Sequence, residues 1–389
     1  MKRRLLILLV VLVASLAGAA EGFLQNQCGP FADVSPTFCP YVLEVYYLGI
    51  TAGTSPTTYS PDATMTRGQA AVFVSKSVNQ AIARSSRRAA LGQWWSTTSE
   101  AALGRINVGS EPRSAGCDGA DVWIADADGT VLRVRASDGR VLDTWTGADS
   151  PGAVLVAMGR VFVTGTTAPG KLYMIDPAQP AGAVTTVAND LGDYPFWITF
   201  DGSRIWTANS GALFSLSTVS IVQPGPTLPW SVTTVGPFDF AEIQGITFDG
   251  TNIWVSRFGG SDLLRLDSAG GVLQTVPLGE YPRQAVFDGA NLWVPMLPVS
   301  SQGGSVAIVA AAGGKVVATL TGNGLENPFG ASFDGERVLI TNGDSTVSVW
   351  RAADLEPLGT TSTTTGPGYP CSDGINFWLP LGAGQLARF

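Results

Sequence analysis

One hexapeptide pattern governs what this chain can fold into. Asp-Gly, two variable residues, an apolar residue and Trp recur at 118–123, 201–206, 249–254, 288–293 and 373–378, ending in Trp123, Trp206, Trp254, Trp293 and Trp378. A sixth copy, Asp334-Gly335, carries Leu339 in the Trp place, and a degenerate seventh is Met158-Gly159 with Phe162. Successive copies lie 40, 43, 48, 39, 46 and 39 residues apart. A period near forty with strand patterning between the markers specifies the four-stranded blades of a propeller. In one unit, 285–287 reads as the inner strand, 291–295 as the second, 305–309 as the third and 315–320 as the outer strand. Asp-Gly between the first two is expected to form a tight hairpin in which both residues take positive φ. The Trp is expected to fill the space between blades rather than to stack on a ligand.

The last copy supplies three strands before the chain ends at Phe389, while residues 102–109 match the outer strands of other units. Residues 101–109 are therefore expected to complete the last blade, which removes an exposed sheet edge. The expected fold is an all-β seven-bladed β-propeller over 101–389, preceded by a small α-helical module.

The amino terminus reads as an address. Lys2, Arg3 and Arg4 precede an apolar run of 12 residues from Leu5 to Leu16, and Ala17-Gly18-Ala19 fits a small-x-small cleavage site. This is the three-part pattern of a secretory signal peptide over 1–19, too short to span a membrane. Later segments are interrupted by polar residues, so no transmembrane segment is expected in the mature chain. Export permits disulfides. The four cysteines allow three pairings. Cys28 and Cys39 lie close together in the small module. Cys117 and Cys371 stand on the inner strands of the first and last blades, which become neighbours when the ring closes. Their offsets from the marker differ by one residue, which puts the two side chains on opposite strand faces.

Residues 28–84 form the helical module, with 85–100 as a linker containing Arg87, Arg88 and Trp94-Trp95. Val42, Val45 and Tyr46 share a helical face. Thr66 and Gln69 form a capping box for a second helix with an apolar stripe of Ala70, Phe73, Val74, Ser77 and Val78. Phe31-Ala32-Asp33-Val34, Leu48-Gly49-Ile50-Thr51-Ala52-Gly53, Tyr59-Ser60-Pro61-Asp62 and Met65-Thr66-Arg67-Gly68-Gln69 together resemble one S-layer homology motif. The resemblance implies non-covalent binding to cell-wall polysaccharide or a peptidoglycan-associated polymer, with Arg67 and Asp33 as the polymer-binding residues. An Arg at a helix N-terminus offers a positive fork to a carboxylate or ketal. The repeat over 101–389 resembles secreted bacterial propellers with NHL-like or YVTN-type blades, a likeness of fold that names no activity.

The loops entering the inner strands share one mouth of the ring with the turns between second and third strands. They bring together Arg113, Tyr194, Trp197, Glu242, Tyr281, Arg283 and Phe329, with Arg257 from a turn. Tyr, Trp, Phe and Arg together are typical of a binding surface. The chain has no His, which excludes every His-dependent triad, dyad and zinc site. With 23 Lys plus Arg against 31 Asp plus Glu, the net charge of −8 speaks against nucleic acid as a partner. Asp126-Ala127-Asp128-Gly129 starts like a calcium loop but has Ser137 at the twelfth position, where an EF-hand needs Glu. No cofactor or metal is expected. The expected function is that of an exported, cell-envelope interaction protein: the module binds wall polymer and the propeller presents a protein- or glycan-binding face. The alternative is a metal-dependent, lactonase-like hydrolase with a carboxylate and Asn cage in the channel, drawn from residues such as Glu242, Asn209 and Asp239.

Overall fold

The computed structural model describes residues 28–47, 50–83, 105–211, 216–238, 242–299, 303–363 and 365–389. The expected signal peptide, the linker over 85–100, and residues 101–104 of the closing segment lie outside them. The chain divides into two compact units between residues 96 and 97. Among the described residues no helix is long and apolar enough to cross a membrane.

The first unit is built from helices α1 (Cys39–Tyr47) and α2 (Arg67–Ala83). Its core is small: Phe31, Val34, Val42 and Cys28 are buried, with Leu43, Tyr46 and Tyr59 packed against them. The Cys28–Cys39 disulfide, with Cα atoms 5.3 Å apart, ties the entering chain to the start of α1. A core this size gains from such a staple. Helix α2 opens on the expected capping box: the Gln69 N–H donates to Thr66 Oγ1 at 3.2 Å and the Thr66 N–H to Gln69 Oε1 at 2.9 Å. Its apolar stripe is only partly covered. Ala70, Phe73 and Ser77 are half-buried, whereas Val74 is 58% exposed. Cover reaches α2 on the side where Phe73 shares a cleft with Val42 and Val45 of α1. Val74 lies outside that contact, and the burial of Val78 lies outside the described residues.

The second unit is seven antiparallel sheets, one per marker. The blades cover 112–146, 151–191, 195–235, 243–277, 281–320, 328–362 and 371–388. The seventh takes its outer strand from the other end of the chain: Ile106 pairs with Leu386 and Asn107 with Gln385. Blade 5 departs from expectation, because its inner strand is broken into Tyr281–Pro282 and Val286–Phe287. Between them the Gln284 side chain accepts the Ile246 N–H of blade 4 at 3.1 Å, which draws the backbone off its own ladder.

The Asp-Gly turn differs from the expected one. Only the Gly is left-handed, with φ between 85° and 100° over the six markers. The Asp does different work. In blade 5, Asp288 Oδ1 accepts the N–H groups of Ala290 and Asn291 at 2.8 and 2.6 Å, while Oδ2 accepts the Trp293 indole N–H at 2.7 Å. The same carboxylate–indole bond is 3.1 Å in blade 1, 2.7 Å in blades 3 and 4, and 2.8 Å in blade 7. In blade 6, where Leu339 replaces Trp, Arg337 Nε fills the place at 2.8 Å from Asp334. Only the degenerate Met158-Gly159 copy has positive φ at both positions, 53° and 67°.

The indole so anchored lies in the gap between sheets. All five Trp of the markers are 0–1% exposed. Trp123 packs on Val161 and Val163 of blade 2, and Trp293 on Val338 and Ile340 of blade 6. Trp378 of blade 7 packs on Val122, Ile124 and Val134 of blade 1, so the last gap of the ring is filled like the others. Neighbouring sheets present opposite faces to each other. The one-residue offset between Cys117 and Cys371 is thus what a bridge across the gap requires, and their Cα atoms stand 5.7 Å apart in a disulfide. The inner strands touch there too, with Ala115 N–H donating to Tyr369 O and Tyr369 N–H to Arg113 O, both at 2.9 Å.

Two outcomes follow from this construction. Burial raises the Asp201 carboxyl, but the Trp206 indole and the Arg204 and Ser203 N–H groups outweigh it and hold its pKa at about 2 against an ordinary 3.8. Its contribution is complete above the ordinary value and is lost as pH falls through about 2. Urea midpoints measured across this acid range will therefore fall less steeply for Asp201→Asn than for the parent. The Cys117→Ser, Cys371→Ser double variant will keep its far-UV spectrum and lose about 5.5 kcal/mol in equilibrium unfolding, the chain-entropy value for a sequence separation of 254.

Candidate functional site

The site is made by bulges at the start of the inner strands. Register slips by one residue after Pro112, Pro195, Ile243 and Pro328, so Arg113, Phe196, Gln244 and Phe329 leave the strand alternation. Arg283 holds the equivalent place in the break of blade 5, and Gly152 and Gly368 hold it in blades 2 and 7. A bulge re-aims a side chain, and here it gathers one residue per blade toward the ring axis.

Tyr369 fills the middle of this group. Its ring centroid lies 5.3 Å from Phe196, 6.2 Å from Trp197 and 5.5 Å from Phe329, so blades 3, 6 and 7 meet through one side chain. Phe258 stacks on Tyr281 at 4.7 Å, and the Arg283 guanidinium carbon lies 4.7 Å from the Phe258 centroid. Arg283 Nη1 donates to Gln244 Oε1 at 2.9 Å, while Gln244 Nε2 donates to Glu242. Arg113 Nη1 donates to Ser150 and Thr166 of blade 2 at 3.1 and 3.4 Å. Burial pushes the Tyr369 phenol up to about 12, against the opposing pull of Arg283. Burial likewise lowers the Arg283 guanidinium, with Tyr369 and Glu242 acting against it. One buried donor in this group, Arg283 Nε, meets no acceptor, while the Trp197 indole N–H is directed at the Tyr369 hydroxyl and pulls against the upward shift of the phenol.

Of the residues expected at the mouth, Arg113, Trp197, Glu242, Tyr281, Arg283 and Phe329 belong to this group. Tyr194 stands 42% exposed with φ 54°. Arg257 is tied within its own blade by a two-pronged pair with Asp262, at 2.8 and 2.5 Å. Residues 239–241 lie outside the described residues. Tyr369, Gln244 and Phe258 were not expected. A signal for Tyr369 exists, since Pro367 continues the proline spacing six residues before the marker and Tyr369 then falls level with Trp197.

Of the cage considered for a hydrolase, Glu242 accepts from Gln244, Asn209 is held by structural bonds, and Asp239 lies outside the described residues. Asn209 is fully buried, and its amide donates to Thr218 and Ser220 at 3.0 and 2.9 Å. Asn342 does the same with Thr346 and Ser348. Asp126 accepts the N–H groups of Ser110, Glu111 and Asp128, which fastens the closing segment. Among the described residues no group of three or more Cys, Asp or Glu is set to hold a metal.

In the first unit, the Asp33 carboxylate accepts the Tyr59 and Ser60 N–H groups at 2.8 and 2.7 Å, and those bonds hold it below the usual carboxylate range. Asp33 thereby clips the loop that leads toward α2. Arg67 is exposed as the first residue of α2.

These features define a propeller with an S-layer homology domain ahead of it: residues 30–71 match the S-layer homology domain, and a seven-bladed β-propeller follows. S-layer homology domains bind cell-wall polymers, which gives the chain a cell-surface or envelope location. No curated protein matches the chain. Among solved structures, it is similar to hydrazine synthase of Kuenenia stuttgartiensis, at TM-score 0.60 and 18% identity over 73% of this chain and 96% of that one. The WD40 β-propeller domain of Doa1 matches at TM-score 0.60 and 12% identity, over 74% of this chain and 95% of that one. The computationally designed protein Ika8 matches at TM-score 0.51 and 13% identity, over 74% and 99%. At such identities these likenesses concern the fold alone.

Proposed function

We propose that this is an exported envelope protein whose two units have separate roles. The S-layer homology domain holds wall polymer through Arg67, and the axial mouth of the propeller binds a protein or glycan ligand. The observation that carries the reading is the meeting of Phe196, Trp197 and Phe329 with Tyr369 across blades 3, 6 and 7, with Arg283 of blade 5 beside them. A ring that needed only to close would fill its axis with aliphatic side chains. Aromatics and two Arg instead make a surface with specific polar demands. Asp33, exposed and bonded to the Tyr59 and Ser60 N–H groups, fixes the loop before α2 and serves polymer binding beside Arg67. The hydrolase reading is disfavoured by Asn209, whose amide is already saturated.

The test is co-sedimentation of the full chain with purified cell-wall material. Arg67→Ala is expected to stay in the supernatant, with an unchanged melting temperature because the side chain is exposed. Tyr281→Ala is expected to sediment like the parent. Sedimentation of Arg67→Ala at the parental level contradicts the anchoring role.

A further inference from the structure

We propose that the cleft between α1 and α2 of the first unit seats one neutral sugar ring of the wall polymer, laid against Tyr41 and Phe38, with the Asp62 carboxylate accepting from its hydroxyls. The inference rests on the reading of this unit as the wall anchor and adds a second contact to Arg67. The cleft has a volume of about 310 Å³, at the low end of the roughly 300–1,000 Å³ typical of small-molecule sites. Its lining includes the buried Val42 and the half-buried Phe73, while Phe38 and Tyr41 stand 56% and 68% exposed. Two large rings left this open add little to a core as small as that of this unit. An apolar concavity with a polar rim is the form a ligand-binding groove takes.

The walls are held before any ligand arrives. Cys39, next to Phe38, is bridged to Cys28. The Val42 N–H bonds to Phe38 O at 3.0 Å, so Phe38 and Tyr41 already belong to one turn of helix. In the loop that completes the cleft, Asp33 accepts the Tyr59 and Ser60 N–H groups, and the Tyr59 ring meets Phe31 edge-on at 5.4 Å. Pro61 and Asp62 follow directly. Walls fixed in this way lower the ordering cost of binding. The chemistry selects a sugar. Flat aromatic faces suit the C–H groups of a pyranose, and the hydroxyls on its edge need acceptors. Asp62 is exposed at the cleft, and no described residue donates to its carboxylate. An ionised carboxylate only accepts, and the hydrogen bonds it accepts are the stronger kind. It repels an acidic sugar, so the unit held here is neutral, and an acidic group on the polymer is left to Arg67. A lipid tail would leave the same carboxylate facing apolar chain without a partner.

The experiment is co-sedimentation of the full chain over a range of wall concentrations, with the wall material digested by protease beforehand. Tyr41→Ala and Asp62→Asn are each expected to need at least about tenfold more wall for half-sedimentation. Their melting temperatures are expected to match the parent, because both side chains are exposed. Tyr41→Phe keeps the ring and is expected to sediment like the parent. The same holds for Tyr47→Ala, which removes an aromatic of α1 that is 73% exposed and outside the cleft. Parental sedimentation of either Tyr41→Ala or Asp62→Asn, with Arg67→Ala still released, overturns the inference and leaves wall anchoring standing. Loss of parental binding on protease digestion of the wall overturns it by making a peptide the occupant. Sedimentation velocity of the free chain reads the remaining case: self-association of the parent that Tyr41→Ala abolishes places a second copy in the cleft and overturns the inference as well.

Discussion

The bond from a turn carboxylate to a tryptophan indole sets the rest of this structure. One Asp closes its hairpin with Oδ1 and fixes the Trp with Oδ2, at 2.7–3.1 Å in five blades. A large side chain is thereby aimed into the gap toward the next sheet, with its one polar atom satisfied. Tryptophan can fill such a gap without leaving a buried donor open only when this partner is present. Blade 6 makes the point by exception. There a Leu fills the gap, and the Asp334 carboxylate turns to Arg337. Seven such gaps must close on each other. The terminal strand pairing and the Cys117–Cys371 bridge act at the joint between the first and last blades.

The same economy shapes the mouth. Proline stands at the start of the inner strand in blades 1, 3 and 6, where it lacks an N–H for the ladder, and the residue after it bulges; Ile243 holds the same place in blade 4. A defect that any ring of strands must absorb near its crowded axis becomes the means of turning Arg113, Phe196 and Phe329 inward. These positions join neighbouring blades through Arg113 with Ser150, Arg283 with Gln244, and Phe196 and Phe329 with Tyr369.

The fold is legible because its signals are short and periodic. The Asp-to-Trp spacing yields seven units, and the strand-like segment near Ile106 yields the closure. The pairing of Cys117 with Cys371 follows from their blades. The turn type is not legible in the same way, since Asp-Gly spelling is compatible both with a two-residue hairpin and with a carboxylate-capped turn. Only the Trp five residues on distinguishes them. The exposure of Val74 escapes the pattern because helical spacing identifies an apolar stripe but not whether a neighbour exists to cover it. Site residues are legible where they follow the proline spacing, as with Arg113, Phe329 and Arg283. Tyr369 is hidden because its contacts are made with blades 3 and 6, far away in sequence. Arg257 looks available because its partner Asp262 faces it only once the hairpin folds.

The central claim is that the S-layer homology domain holds wall polymer and leaves the propeller mouth as a separate face. Its most direct measurement is co-sedimentation of the full chain with purified wall material, beside Arg67→Ala and Arg113→Ala. The account predicts that Arg67→Ala stays in the supernatant while Arg113→Ala sediments like the parent. Sedimentation of Arg67→Ala together with release of Arg113→Ala would contradict it by showing that the propeller mouth itself holds the polymer.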